Sequence, residues 1–111
     1  MAKISDTQIE TVRALIAAIP PGEVSTYGDL AEAAGLTNPR QVGWILRTDG
    51  ADLPWQRVVP ASGRPTIDKA TRQLDLLAAE GVPIHDGRIL LRECRTRLLR
   101  EPDSRGRRTE S

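Results

Sequence analysis

One thiol and one imidazole bound the covalent chemistry open to this chain: Cys94 is its single cysteine and His85 its single histidine. A lone cysteine forms no intramolecular disulfide, and one Cys with one His cannot furnish a zinc ligand cluster, so neither metal nor cofactor is expected. Ser25 or Ser62 with His85 and an aspartate would match a hydrolytic triad in composition, but no G-x-S-x-G turn or comparable context surrounds either serine. His85 stands between Ile84 and Asp86 before a turn, the place of a surface or strand-end residue. Cys94 lies in an Arg-rich stretch, where a half-buried packing role suits it. What remains is binding chemistry, carried by Tyr27, Trp44 and Trp55, the only aromatics, and by arginines in particular places.

These side chains must be positioned by a single domain, since 111 residues suffice for one modest core and no more. With 39% hydrophobic residues and no Phe, that core is aliphatic. No apolar run approaches the roughly 18 residues of a membrane span, and residues 1–19 lack the pattern of a signal region, so a cytoplasmic protein without membrane contact is expected. Residues 1–94 hold ten Lys/Arg against twelve Asp/Glu (net −2), and 95–111 hold six against three (net +3). Any nucleic-acid surface must therefore come from local placement of arginines rather than bulk charge.

Ser5 or Asp6 can cap a first helix whose apolar positions Ile9, Val12, Leu15, Ile16 and Ile19 recur in steps of three and four, ending at Pro20-Pro21-Gly22. Val24-Ser25 reads as extended. Thr26 with Asp29 forms a capping box opening Tyr27 to Ala34, and Gly35 stops that helix. Asn38 is a fit N-cap and Pro39 suits the first helical position of a third helix, with Val42, Ile45 and Leu46 on its apolar stripe to about Thr48. This is helix, short turn, helix. Residues 53–60, held between Pro54 and Pro60, suit a turn plus short strand, and Ser62-Gly63-Arg64-Pro65 is another turn. Asp68 to Gly81 returns to a helical pattern with Ala70, Leu74, Leu77 and Ala78 on one face. Two short strands, 82–84 and 89–91, joined by an Asp-Gly turn, make a wing. The class predicted is mainly α (α+β), a winged helix-turn-helix with a short β wing over 1–94, followed by a basic tail, 95–111, too polar to order itself.

Three motifs fall in order: Ile19-Pro20-Pro21-Gly22-Glu23-Val24-Ser25-Thr26-Tyr27-Gly28, Arg40-Gln41-Val42-Gly43, and Pro54-Trp55-Gln56-Arg57-Val58-Val59. Together, over residues 4–92, they resemble the C-terminal DNA-binding domain of O6-alkylguanine-DNA alkyltransferases, whose last motif reads P-C-H-R-V. In that family the Cys accepts the alkyl group from a flipped guanine. Here Trp55 stands at the acceptor position and Gln56 at that of the activating His, so the chain looks like the alkyltransferase-like proteins, which bind the lesion without repairing it. Transfer from an ether oxygen needs a thiolate, and an indole is no substitute at neutral pH; no enzymatic activity is expected.

The resemblance implies that Ser25, Thr26, Tyr27, Arg40 and Gln41 meet DNA, with Arg40 entering the minor groove to replace the extruded nucleotide and Tyr27 pressing on the phosphate 3′ to it. Trp55 would lie beneath the alkyl group, with Tyr27, Leu46, Val58 and Ser62 around it. Arg64, Lys69 and Arg72 are open alternatives for the donor that reads the lesion, and Arg72-Gln73 matches a pair opening the last family helix. Implied partners are duplex DNA bearing O6-alkylguanine and nucleotide excision repair proteins, bound by a monomer. A winged-helix regulator reading sequence is the alternative, but Arg40, Gln41 and Arg47 are a thin supply for base readout. Trp44 among them suits a partly buried packing role or a rest on the DNA backbone.

Overall fold

The computed structural model describes residues 4–66, 68 and 70–97. Helix α1 is Asp6–Ala17, and Ser5 rather than Asp6 caps it. The Ser5 hydroxyl accepts from the Gln8 amide at 3.1 Å while the Gln8 side chain accepts from the Ser5 amide at 3.0 Å, so two otherwise orphaned donors are satisfied. Strand β1, Ser25–Thr26, runs directly into α2, Tyr27–Ala33, where Thr26 Oγ1 accepts from the Asp29 amide. At the far end Gly35 takes a left-handed φ of +72°, letting the Leu36 amide reach back to the Ala31 carbonyl at 2.8 Å.

The turn into α3, Arg40–Asp49, is organised by two side chains. Asn38 Oδ1 accepts from the Arg40 amide, and Gln41 Oε1 accepts from the amides of Thr37 and Asn38. The helix begins at Arg40, one residue later than the sequence suggests, with Pro39 at the cap position; because Pro39 already has helical dihedrals and no capping side chain, the Asn38 oxygen supplies the capping bond from one residue further back.

After α3 a 3₁₀ turn, Trp55–Arg57, leads into strand β2, Val58–Val59, which pairs in parallel with β1 in the register Ser25 with Val58 and Thr26 with Val59. Helix α4 is Ala70–Ala79, beginning two residues later than the pattern suggests. Its inward face is Gln73 and Leu77, with Leu74 half-buried and Ala78 exposed, a rotation from the expected face. The cause is polar: Gln73 Nε2 donates to the carbonyls of Gln56 and Val58, both at 2.9 Å, supplying donors that the short β2 lacks on that side.

Strands β3, Ile84–His85, and β4, Arg88–Ile89, form the antiparallel wing. Leu91 belongs not to that strand but to α5, Leu91–Cys94. Cys94 is 5% exposed, more deeply packed than expected. The following residues clip onto the helix-turn-helix: the Val24 amide donates to the Cys94 carbonyl, the Thr96 amide to the Val24 carbonyl, and Arg95 makes a two-pronged bond to Asp29 on α2. The folded unit therefore extends past residue 94; the tail from 98 onward lies outside the described residues.

Two apolar clusters result. One gathers Val12, Ile16, Leu30, Val42, Ile45 and Val58 among α1, α2 and α3; the other gathers Val24, Val59, Leu77, Val82, Ile89 and Cys94 beneath α4 and the wing. Gly63 joins the wing to the second, its carbonyl accepting from the Ile89 amide at 2.8 Å. Its φ is +80° and a Cβ there would fall 2.6 Å from the Ile89 carbonyl oxygen. Gly63→Ala combines left-handed strain with a backbone clash and should lower stability by roughly 3 kcal/mol, read as a fall in Tm.

Candidate nucleic-acid interface

A cleft of about 660 Å³ opens between α3 and α4. Tyr27, Gly43, Leu46 and Arg47 line its helix-turn-helix side, Trp55 and Pro60 come from the 3₁₀ turn and the end of β2, and Asp68 and Arg72 close the α4 side. Gly43 lies on this wall beside the Tyr27 ring and the Arg47 guanidinium; a Cβ there would meet both at 3.9 Å, ordinary van der Waals contact. Burial pushes the Tyr27 hydroxyl pKa upward, with the positive charge of Arg47 opposing in part. The phenol thus stays protonated, a neutral donor, throughout the physiological range.

Of the residues singled out from sequence, Tyr27, Leu46, Trp55 and Arg72 meet in this cleft. Val58 does not: it is fully buried in the first cluster, behind the turn. Ser62 and Arg64 do not line it either; the Ser62 hydroxyl accepts from the Arg64 amide and its carbonyl from Arg88 Nε, tying that turn to the wing. Lys69 lies outside the described residues. Ser25 and Thr26 are 0% and 1% exposed, so their hydroxyls face the interior rather than a phosphate. The β1–β2 pair lies between the two apolar clusters, so both of its faces are covered, and Ser25 Oγ is left without a hydrogen-bond partner. Gln41 holds the turn before α3, as described above. Arg40 is exposed at the start of α3, and among the described residues its guanidinium enters no ion pair. His85 is at the surface, 3.3 Å from Asp86. Arg47, missed as a cleft residue, carried a readable signal: it stands one helical turn after Gly43 and next to Leu46, both of which line the cleft.

Behind the cleft a polar cluster fixes the turn that carries Trp55. Arg57 Nε and Nη2 each donate to Glu80 at 2.9 Å, Arg57 Nη1 donates to the Ile19 carbonyl at 2.8 Å, and Gln56 Nε2 donates to Glu80 at 2.8 Å. Gln56 thus points toward Glu80. The Arg57 bonds, with a smaller contribution from Gln56, hold the Glu80 carboxyl below its ordinary range against the opposing effect of burial.

The rim at Gly50 and Ala51 is held from the opposite side. Arg13 on α1 donates to the Asp49 carbonyl and makes a two-pronged bond to Asp52, whose carboxyl it depresses. Arg13→Met should leave the fold intact but loosen this loop. Hydrogen exchange should then quicken at the Leu53 amide, which donates to the Gly50 carbonyl; unchanged exchange would mean the loop holds itself.

The DNA-binding domain of 6-O-methylguanine DNA methyltransferases matches as a family over residues 8–82. A "DNA base-flipping protein" of Escherichia coli (strain K12) is 42% identical over 84 residues, covering 71% of this chain and 65% of that protein, so the match spans a little under two thirds of that relative. One of the same name from Vibrio parahaemolyticus is 37% identical over 94 residues, 79% of this chain and 94% of that protein. Among solved structures, S. pombe Atl1 in complex with damaged DNA containing O6-carboxymethylguanine aligns with a TM-score of 0.74 at 29% identity, covering 86% of this chain and 99% of that one.

Proposed function

The chain belongs to the DNA-binding-domain family of 6-O-methylguanine DNA methyltransferases, and on that premise we propose that it binds O6-alkylguanine in duplex DNA, receives the flipped base in the cleft and leaves the alkyl group in place. The observation that carries this reading is Trp55 in the cleft wall, beside Tyr27 and Arg72, where a transferase would need a thiol. The one thiol, Cys94, does not line the cleft; burial raises its pKa, which disfavours the reactive thiolate. Gln56 has no basic site, so nothing at the turn would activate a nucleophile.

In this reading the helix-turn-helix docks on the duplex, Arg40 fills the gap left by the extruded nucleotide, and the Trp55 indole packs on the alkylated base. The same reading gives the base edge to Arg72, which is exposed on α4 and lines the cleft. The relatives' names and the damaged DNA bound to Atl1 support it. A monomer acting in the cytoplasm would mark an otherwise inconspicuous base for nucleotide excision repair.

The test is titration of short duplexes containing guanine or O6-methylguanine at one fixed salt concentration, followed by assay of the recovered DNA for its methyl group. Tighter binding to the methylated duplex with the methyl retained, and a preference lost in Arg40→Ala, is the expected result. Equal binding would leave a winged-helix module without lesion preference, and methyl loss would overturn the account of Trp55.

A further inference from the structure

Trp44 is 45% exposed, the exposed large hydrophobic side chain among the described residues. It packs into neither apolar cluster, so the indole is partly covered and the rest of it faces solvent. It lies one helical turn after Arg40 and three residues before Arg47, on the side of α3 opposite the buried Val42 and Ile45. Residues 40–48 contain no Asp or Glu. This solvent face of α3 is thus an indole set between two cations, suited to a polyanion that also offers apolar surface. Duplex DNA is such a partner: arginines and apolar side chains together are the usual equipment for its minor groove, whereas major-groove readout would call for amide and cationic side chains aimed at base edges.

At about 100° per residue, Gly43 lies about 60° to one side of Arg40 and Trp44 about 40° to the other. The cleft opens on the Gly43 side. A base leaving the duplex into the cleft therefore departs on one flank of Arg40, and Trp44 meets the duplex on the other. We infer that Trp44 is a second DNA-contacting side chain of α3, packing its indole on the deoxyribose surface beside the lesion and strengthening damaged and undamaged complexes alike. This rests on the reading that the ligand is duplex DNA, and not on any preference for the lesion.

The experiment compares wild type, Trp44→Ala, Trp44→Phe and Arg40→Ala on guanine and O6-methylguanine duplexes across a salt series. Trp44→Ala places a strong helix former at an exposed site and should keep wild-type circular dichroism. Its affinity for both duplexes should fall roughly tenfold, with the ratio between them and the salt slope unchanged, and Phe should recover most of the loss. Arg40→Ala, removing a charge, should flatten the slope. Unchanged affinity of Trp44→Ala for both duplexes would overturn the inference, as would a loss confined to the methylated duplex. So would sedimentation showing wild-type self-association that Trp44→Ala abolishes, which would assign the face to a second copy. Wild-type binding without lesion preference would sink the lesion reading and leave the Trp44 contact standing; no binding to either duplex would sink both.

Discussion

Glu80→Ala should destabilise the protein by about 3 kcal/mol or more, a fall in Tm of roughly 15 °C. The Arg57 and Glu80 side chains are only 15% and 16% exposed. Removing the carboxylate therefore leaves a guanidinium largely shielded from water with the Ile19 carbonyl as its remaining acceptor among the described residues, and strips Glu80 from Gln56 Nε2. The cost comes chiefly from the uncompensated charge rather than from the worth of the pair itself. Glu80→Gln, retaining one carbonyl acceptor and the side-chain volume, should cost less.

The pH dependence follows with a definite sign. The folded carboxyl titrates below its ordinary value near 4.5 because Arg57 bonds to the ionised form. Its contribution is fully present above that ordinary value and is lost as pH falls through the depressed folded value. Wild type and Glu80→Gln should thus differ most near neutrality and converge in acid. Parallel stability curves down to the acid limit would show that Glu80 is not the group responsible.

Trp55→Ala should weaken binding to an O6-methylguanine duplex by roughly ten- to a hundredfold, the range for one lost base–aromatic contact, while binding to the guanine duplex changes little. The indole is half-buried, so truncation should destabilise by less than the roughly 3–5 kcal/mol of a fully buried tryptophan. Fluorescence anisotropy on labelled duplexes at fixed salt separates the cases. An equal loss on both duplexes would make Trp55 a packing residue of the 3₁₀ turn, with no role in discriminating the base.

The elements that set up this cleft were legible wherever the signal is local. Caps at Ser5, Thr26 and Asn38, the stop at Gly35 and the Asp86-Gly87 turn act through bonds spanning a few residues, and the helix-turn-helix and wing follow from them. What stayed hidden depends on contacts distant in sequence. Nothing around Ser25 or Thr26 announces that residues 58 and 59 will pair beside them, so their hydroxyls read as free for phosphate when they are interior. The inward turn of Gln73 had no local signal, because the carbonyls that draw it inward belong to residues 56 and 58. Val58 was placed in the pocket on the strength of its motif, but strand alternation and the first cluster claim it. For Trp44 the sequence left packing and the DNA backbone both open; the orientation of α3, which no local signal sets, puts it outside both clusters with 45% of it exposed.

The two apolar clusters have a consequence for the order in which the molecule assembles. Every named member of the first lies within residues 12–58, so that half can consolidate with short loops to close. The second needs Val24 to meet Cys94 and Thr96 across about 70 intervening residues, a closure whose entropic cost comes before its contacts form. The cleft draws its walls from both halves, so it takes shape last. A chain part-way through folding would hold a structured helix-turn-helix able to touch DNA before it could choose among bases. Pulse-labelled hydrogen exchange should register this as protection at Ile16 and Ile45 ahead of Val24 and Ile89.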